Sequence, residues 1–89
     1  MVLVYSDNKN ITIEMLSKAV EIAKIQGKKV TTTIIGKSDE NLAKEYIFHG
    51  ADLVFIVEVN LQSFKAEEYA DILTNITKEI NAETILIGS

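Results

Sequence analysis

Two short stretches carry the residue types that could hold a ligand. Ser6 and Asp7 follow directly on the apolar run Val2 to Tyr5, and Gly88 and Ser89 follow on the run Thr84 to Ile87. A hydroxyl, a carboxylate and a glycine turn just past apolar runs suit anion or polar-ligand binding, because backbone donors at a helix start attract negative charge. A plain turn after a strand explains Gly88-Ser89 more simply. Catalysis asks for more. A serine nucleophile needs a base within hydrogen-bond reach, and the single histidine, His49, precedes Gly50 on a different loop. A cation there suits a helix C-terminus, which is reason enough for it. Glu58 closes another apolar run, where solvated acids are common. Glu67, Glu68 and Asp71 open a helical segment and need only its dipole. No acids or histidine stand at metal-ligand spacing. Ser6, Asp7, Gly88 and Ser89 therefore stand as the cofactor-binding candidates, and no catalytic or metal residue is expected.

Phosphate-binding signatures are missing. "YSDNKN" after the first apolar run holds no glycine, so the Gly-x-Gly-x-x-Gly dinucleotide fingerprint is absent, as is a Walker-type loop. There is no arginine, so no bidentate guanidinium fork exists for phosphate or carboxylate. The lysines are scattered among acids and the net charge is −4, which excludes a nucleic-acid stripe. With no cysteine, disulfides and thiolate metal sites are excluded. Met1 leads straight into an apolar run too short for a signal peptide or a membrane span. A cytoplasmic location is the resulting expectation.

The elements that must position these residues alternate along the chain. The 89 residues, 47% hydrophobic, suffice for one small domain or part of one. "MVLVYS" reads as a strand. "TIEMLSKAVEIAKIQG" places Leu16, Ala19, Val20 and Ala23 at helical spacing, with Thr12 as N-cap, Ile11 and Leu16 as a staple, and Gly27 as the left-handed stop. "KVTTTIIG" is β-branched and reads as the second strand. Ser38 is placed to cap a second helix, which buries Leu42, Ala43, Tyr46 and Ile47 and ends at Gly50. The five apolar residues Leu53 to Val57 predict a strand buried on both faces. A third helix carries Tyr69, Ile72, Leu73, Ile76 and Ile80, and "TILIG" is the fourth strand.

This β-α-β-α-β-α-β order predicts an α/β fold: an open parallel sheet with helices on both faces, Rossmann-like and adenine nucleotide alpha hydrolase-like. The sheet is expected to be truncated after the fourth strand within a single unit spanning 1–89. With strand order 3-2-1-4, the crevice at the switch point is lined by Ser6-Asp7-Asn8 on one side and Gly88-Ser89 on the other.

The whole chain resembles the N-terminal domain of the electron transfer flavoprotein alpha subunit. The resemblance is carried by "VLVYSDNKNITIEMLSKAVEIAK" with "KKVTTTIIG", then "GADLVFIVEV" and "FKAEEYADILTNITKEINAETILIGS". Gly50-Ala51-Asp52 and Glu68-Tyr69-Ala70 are its most family-like points. The resemblance implies part of an FAD-containing heterodimer that carries electrons from dehydrogenases to a quinone reductase, so an electron carrier rather than an enzyme. It implies that FAD is held mostly by a C-terminal domain outside this stretch, that this part packs on the beta subunit, and that no FAD is expected here. A universal-stress-type adenine-nucleotide-binding domain is the alternative on the same general fold, and an isolated interaction module is the third reading. Thr84 to Ile87 carries no lysine or proline, so self-association across an unguarded fourth strand is also expected.

Overall fold

Val2–Tyr5 (β1) is followed by Lys9–Gln26 (α1), Val30–Gly36 (β2), Glu40–Phe48 (α2), Leu53–Glu58 (β3), Ala66–Glu79 (α3) and Thr84–Ile87 (β4). The structure is a computed structural model that describes residues 1–88; Ser89, one of the binding candidates, lies outside the described residues. The strands form one sheet of order β3-β2-β1-β4. All three pairings are parallel, with Val4 level with Thr32 and Leu86, and Thr32 level with Val54. The predicted order and direction are both found.

Strand periodicity divides the side chains between two faces. Val2, Val4 and Val30 join Leu16, Ala19 and Ala23 of α1 and Tyr46 of α2 in the main core. Tyr5, Ile85 and Ile87 turn to the other face, beneath Tyr69 and Leu73 of α3. α1 and α2 therefore cover one face and α3 the other. Right-handed crossovers require this arrangement when the chain steps outward twice from β1 and then returns past it.

The first helix begins earlier than its apolar stripe suggests. Asn8, not Thr12, is the N-cap: its side chain accepts from the Ile11 amide at 3.1 Å. Thr12 is buried, and its hydroxyl donates to the Asn8 carbonyl at 3.0 Å, so the predicted Ile11–Leu16 staple loses its cap. Gly27 ends the helix at φ 65°, as expected. At α2 the cap is Asp39 rather than Ser38, accepting from the Leu42 amide at 3.0 Å. One carboxylate there satisfies an orphan amide and meets the positive helix end. Tyr46 is buried and Leu42 and Ala43 are half-buried, but Ile47 is 53% exposed.

β3 corrects a larger expectation. Its apolar run does not lie in a doubly covered interior: Leu53 is 42% and Ile56 36% exposed, and no residue of the strand is fully buried. The cause is position. β3 is an outer strand, paired on one side only.

Side chains also fix the sheet internally, among them Thr33, whose hydroxyl donates to the Phe55 carbonyl at 3.1 Å. The Thr32 hydroxyl donates to the Val4 carbonyl at 2.8 Å, and an Asp52 carboxylate oxygen accepts from the Val30 amide at the same distance. The helix-to-strand turn before β3 depends on Gly50, at φ 117°. No helix among the described residues is long and apolar enough to cross a membrane.

Candidate functional site

In a parallel sheet every strand ends on the same side, so the loops after β1 and β4 lie together. They are directly joined: the Gly88 amide donates to the Tyr5 carbonyl at 3.0 Å. Three of the four binding candidates, Ser6, Asp7 and Gly88, thus stand at the switch point between β1 and β4, as the sequence placed them. Position is favourable, yet the Ser6 hydroxyl and the Gly88 amide are already in use.

Ser6 is 6% exposed, and its hydroxyl accepts from the Asn8 amide at 3.0 Å. Its carbonyl accepts from the Thr12 hydroxyl at 3.3 Å. Ser6, Asn8 and Thr12 therefore tie the loop to the first turn of α1. Asp7 is exposed to solvent. Gly88 has spent its amide on Tyr5. A Cβ at Gly88 would stand 2.5 Å from Ile11 Cγ2 and 3.1 Å from Met15 Sδ. The absence of a side chain lets β4 approach α1, and that contact accounts for the glycine without a phosphate.

The space beside Ser6 is small, although an open cleft of about 660 Å³ lies further along the same end, past β2 and β3, lined in part by Lys37, Ser38, Glu58 and Asn60. A cleft of about 80 Å³ lies between the ends of β1 and β2, lined in part by Ser6, Asp7, Thr33 and Tyr46. Sites for small organic ligands run to roughly 300–1,000 Å³. The cleft therefore has room for a few waters, not for a nucleotide or a flavin. Among the described residues no buried side-chain nitrogen or oxygen lacks a hydrogen-bond partner, so no unpaired buried group marks a ligand's place. The crevice between β1 and β2 by itself offers a flavin neither room nor an unpaired buried polar group.

His49 caps the end of α2, at the amino end of the sheet. Ser6 is at the carboxyl end, so the two cannot meet as nucleophile and base. His49 packs edge-on against Phe48, with centroids 5.3 Å apart. Glu58 ends β3 at the carboxyl side, two strands away from β1, and is exposed. Glu67 and Glu68 sit in the first turn of α3, as the dipole reading required. Among the described residues no three histidines or acids stand together as a metal site.

An aromatic cluster escaped the sequence reading. Tyr69 in α3 packs at 81° against Phe64, with centroids 4.6 Å apart, and lies 6.3 Å from Tyr5. Burial pushes the Tyr5 hydroxyl up to about 12, aided by neighbouring Tyr69, Asp7 and Tyr46, whose negative forms repel a phenolate. Tyr5 is far from Phe64 and Tyr69 in sequence, so only the packing of α3 over β1 could join them. Beside the cluster, α3 and β4 enclose an apolar groove of about 550 Å³, walled by Tyr69, Leu73, Thr77, Ile85 and Ile87.

Comparison with known proteins adds what this geometry lacks. A family model described as "Electron transfer flavoprotein domain" matches residues 2–89. The chain is 38% identical over 81 residues to the electron transfer flavoprotein subunit alpha of Thermoanaerobacterium thermosaccharolyticum, covering 90% of this chain and 24% of that protein. It is 31% identical over 81 residues to the acryloyl-CoA reductase electron transfer subunit beta of Anaerotignum propionicum, covering 90% and 22%. It is also 30% identical over 80 residues to the lactate dehydrogenase (NAD(+),ferredoxin) subunit LctC of Acetobacterium woodii, covering 89% and 19%. The chain spans about a quarter or less of the length of these curated relatives.

Proposed function

From the premise that this chain belongs to the electron transfer flavoprotein domain family, we propose that it is the N-terminal scaffold of an alpha-type subunit in an FAD-containing electron carrier. The observation that carries this reading is the family match over residues 2–89 on a chain whose sheet crevice is filled by its own hydrogen bonds. Such a domain contributes shape and surface, and the flavin is held by other parts of the assembly. Ser6 and Gly88 tie down the loops after β1 and β4, and no chemical step is routed through them or through Asp7.

The partner in this reading is a beta-type subunit, with dehydrogenases as electron donors and a quinone reductase as acceptor, in the cytoplasm. Relatives named as subunits of a lactate dehydrogenase and of an acryloyl-CoA reductase support a dehydrogenase or reductase as the immediate exchange partner. Nothing in the first loop favours adenine-nucleotide binding over this reading. The chain by itself is also proposed to self-associate at β4.

The test uses the 89-residue chain co-expressed with an electron transfer flavoprotein beta subunit. The expected result is a stable complex on gel filtration. The chain alone is expected to stay colourless and to leave the fluorescence of added FAD unquenched. Stoichiometric FAD on the isolated chain, or no association with the beta subunit, overturns the proposal.

A further inference from the structure

We infer that Tyr5, Phe64 and Tyr69 form an aromatic latch that docks the start of α3 on β1, and that opening it frees the segment 60–73 as one unit. The C-terminal end of α3 stays seated when the latch opens.

α3 begins without the polar cap that the other two helices have. Asn8 and Asp39 each accept a backbone amide with their side chains at the starts of α1 and α2. The residue in that position at α3 is Lys65, whose side chain makes no such bond. An ammonium has no acceptor to offer, and it stands at the positive end of the helix, where a cation is unfavourable. What α3 has instead is the apolar half of a helix start. Phe64 precedes the cap position and Tyr69 is the fourth helical residue, the two places where a hydrophobic staple forms. Their rings meet edge to face at 81°, with centroids 4.6 Å apart. The staple also reaches beyond the helix. The Tyr69 ring lies 6.3 Å from that of Tyr5, a β1 residue only 7% exposed. A local helix start thereby becomes a tertiary contact with an inner strand of the sheet.

The two ends of α3 are held differently. Among the described residues, the hydrogen bonds of 60–65 are local: the Gln62 and Ser63 amides donate to Asn60, and the Glu68 amide donates to the Lys65 carbonyl. None of them reaches the sheet. Leu61 packs over Gly36 at the end of β2, so the three rings are what ties the start of α3 to β1. At the other end, the Ala82 amide donates to the Thr77 carbonyl and the Glu83 amide to the Met1 carbonyl, at 3.0 and 3.1 Å. The Glu83 carboxylate pairs with Lys28 at 2.9 Å. Ile76, 8% exposed, is the buried residue of the helix. These ties involve none of the three rings. Proteins open locally in cooperative units, the least anchored first, and here the boundary falls between Tyr69 and Ile76.

Hydrogen exchange followed by mass spectrometry on the 89-residue chain, in water and in low urea, tests this. Amides of 66–73 should exchange about tenfold or more faster than those in the middle of α1, with a weaker urea dependence, because partial opening exposes less surface. Phe64→Ala should speed exchange over 66–73 by about a further tenfold, as the loss of an aromatic pair and its burial implies, and leave α1 unchanged. In the same variant the alkaline titration of Tyr5, near 12 with the latch closed, should fall toward 10.0 as water reaches the phenol. A role confined to capping α3 would not move that titration. Phe64→Leu, which keeps apolar bulk without the ring, should give a smaller rise and is read by the same criteria where Phe64→Ala does not fold. Exchange of 66–73 that matches α1 in rate and urea dependence in the unaltered chain refutes release as a unit. A folded variant with unchanged exchange over 66–73, with exchange raised equally in α1, or with Tyr5 still titrating near 12 refutes the latch.

Discussion

Replacing Gly50 by alanine should cost this small domain a large part of its stability, by two separable routes. Gly50 adopts φ 117°, a conformation that side chains rarely take. Holding a non-glycine residue in such a region costs about 1–3 kcal/mol. In addition, the new Cβ would collide with a Val20 side-chain methyl on α1, which borders the main core. Overpacking of that kind costs about 1–3 kcal/mol more. The sum, roughly 2–6 kcal/mol, compares with a total stability of about 4–13 kcal/mol for 89 residues at typical values per residue. A loss of about 3 kcal/mol would lower Tm by about 12–24 °C.

Gly27→Ala supplies the control. Gly27 also has positive φ, 65°, but nothing lies within 4 Å of its Cβ position, so strain acts alone at about 1–2 kcal/mol. Urea unfolding followed by circular dichroism gives both values. Val20→Ala combined with Gly50→Ala should cost less than the sum of the single changes, because the collision disappears while the strain remains. If Gly50→Ala destabilises no more than Gly27→Ala, or the double variant is additive, the collision argument is wrong.

Tyrosinate absorbance on alkaline titration should show one of the three tyrosines ionising near 12, and Tyr5→Phe should remove that step. Its folded value lies above the ordinary value of 10.0, so this contribution to stability is complete below pH 10 and is lost as pH rises toward 12. Asn8→Ala should cost about 1 kcal/mol in urea unfolding through loss of the α1 cap, whereas Ser38→Ala, which removes no cap, should stay within about 0.5 kcal/mol. The Lys28 ammonium holds the Glu83 carboxyl below its usual range, first by hydrogen bonding and then by charge. Its contribution is present above the ordinary carboxylate value and lost as pH falls through the lowered one; carbon-detected NMR titration should show the value rise in Lys28→Met.

The sequence by itself determined the order of elements, the parallel sheet and the place of the binding candidates. Apolar runs of strand length alternating with helical stripes permit little else, and parallel strands gather Ser6, Asp7 and Gly88 at one end whatever their details. Gly27 was legible because a left-handed stop is a property of backbone geometry at one residue. The resemblance carried by segments such as "GADLVFIVEV" supplied the family, which no single side chain encodes.

Tertiary structure decided the rest. Asn8 and Asp39 cap the helices because caps are set by where the chain enters the helix, and the apolar stripe marks only the buried face. Leu53 to Val57 has the composition of an interior strand, yet β3 is an outer one, because strand order places only one neighbour beside it. Ser6 and Gly88 looked available in sequence. In the fold the Asn8 amide and the Thr12 hydroxyl occupy Ser6, while Gly88 gives its amide to Tyr5 and the space of its missing side chain to Ile11. Apart from the Asn8 amide, which lies two residues further along the same loop, those groups belong to other elements, so only packing could show that the crevice holds itself together.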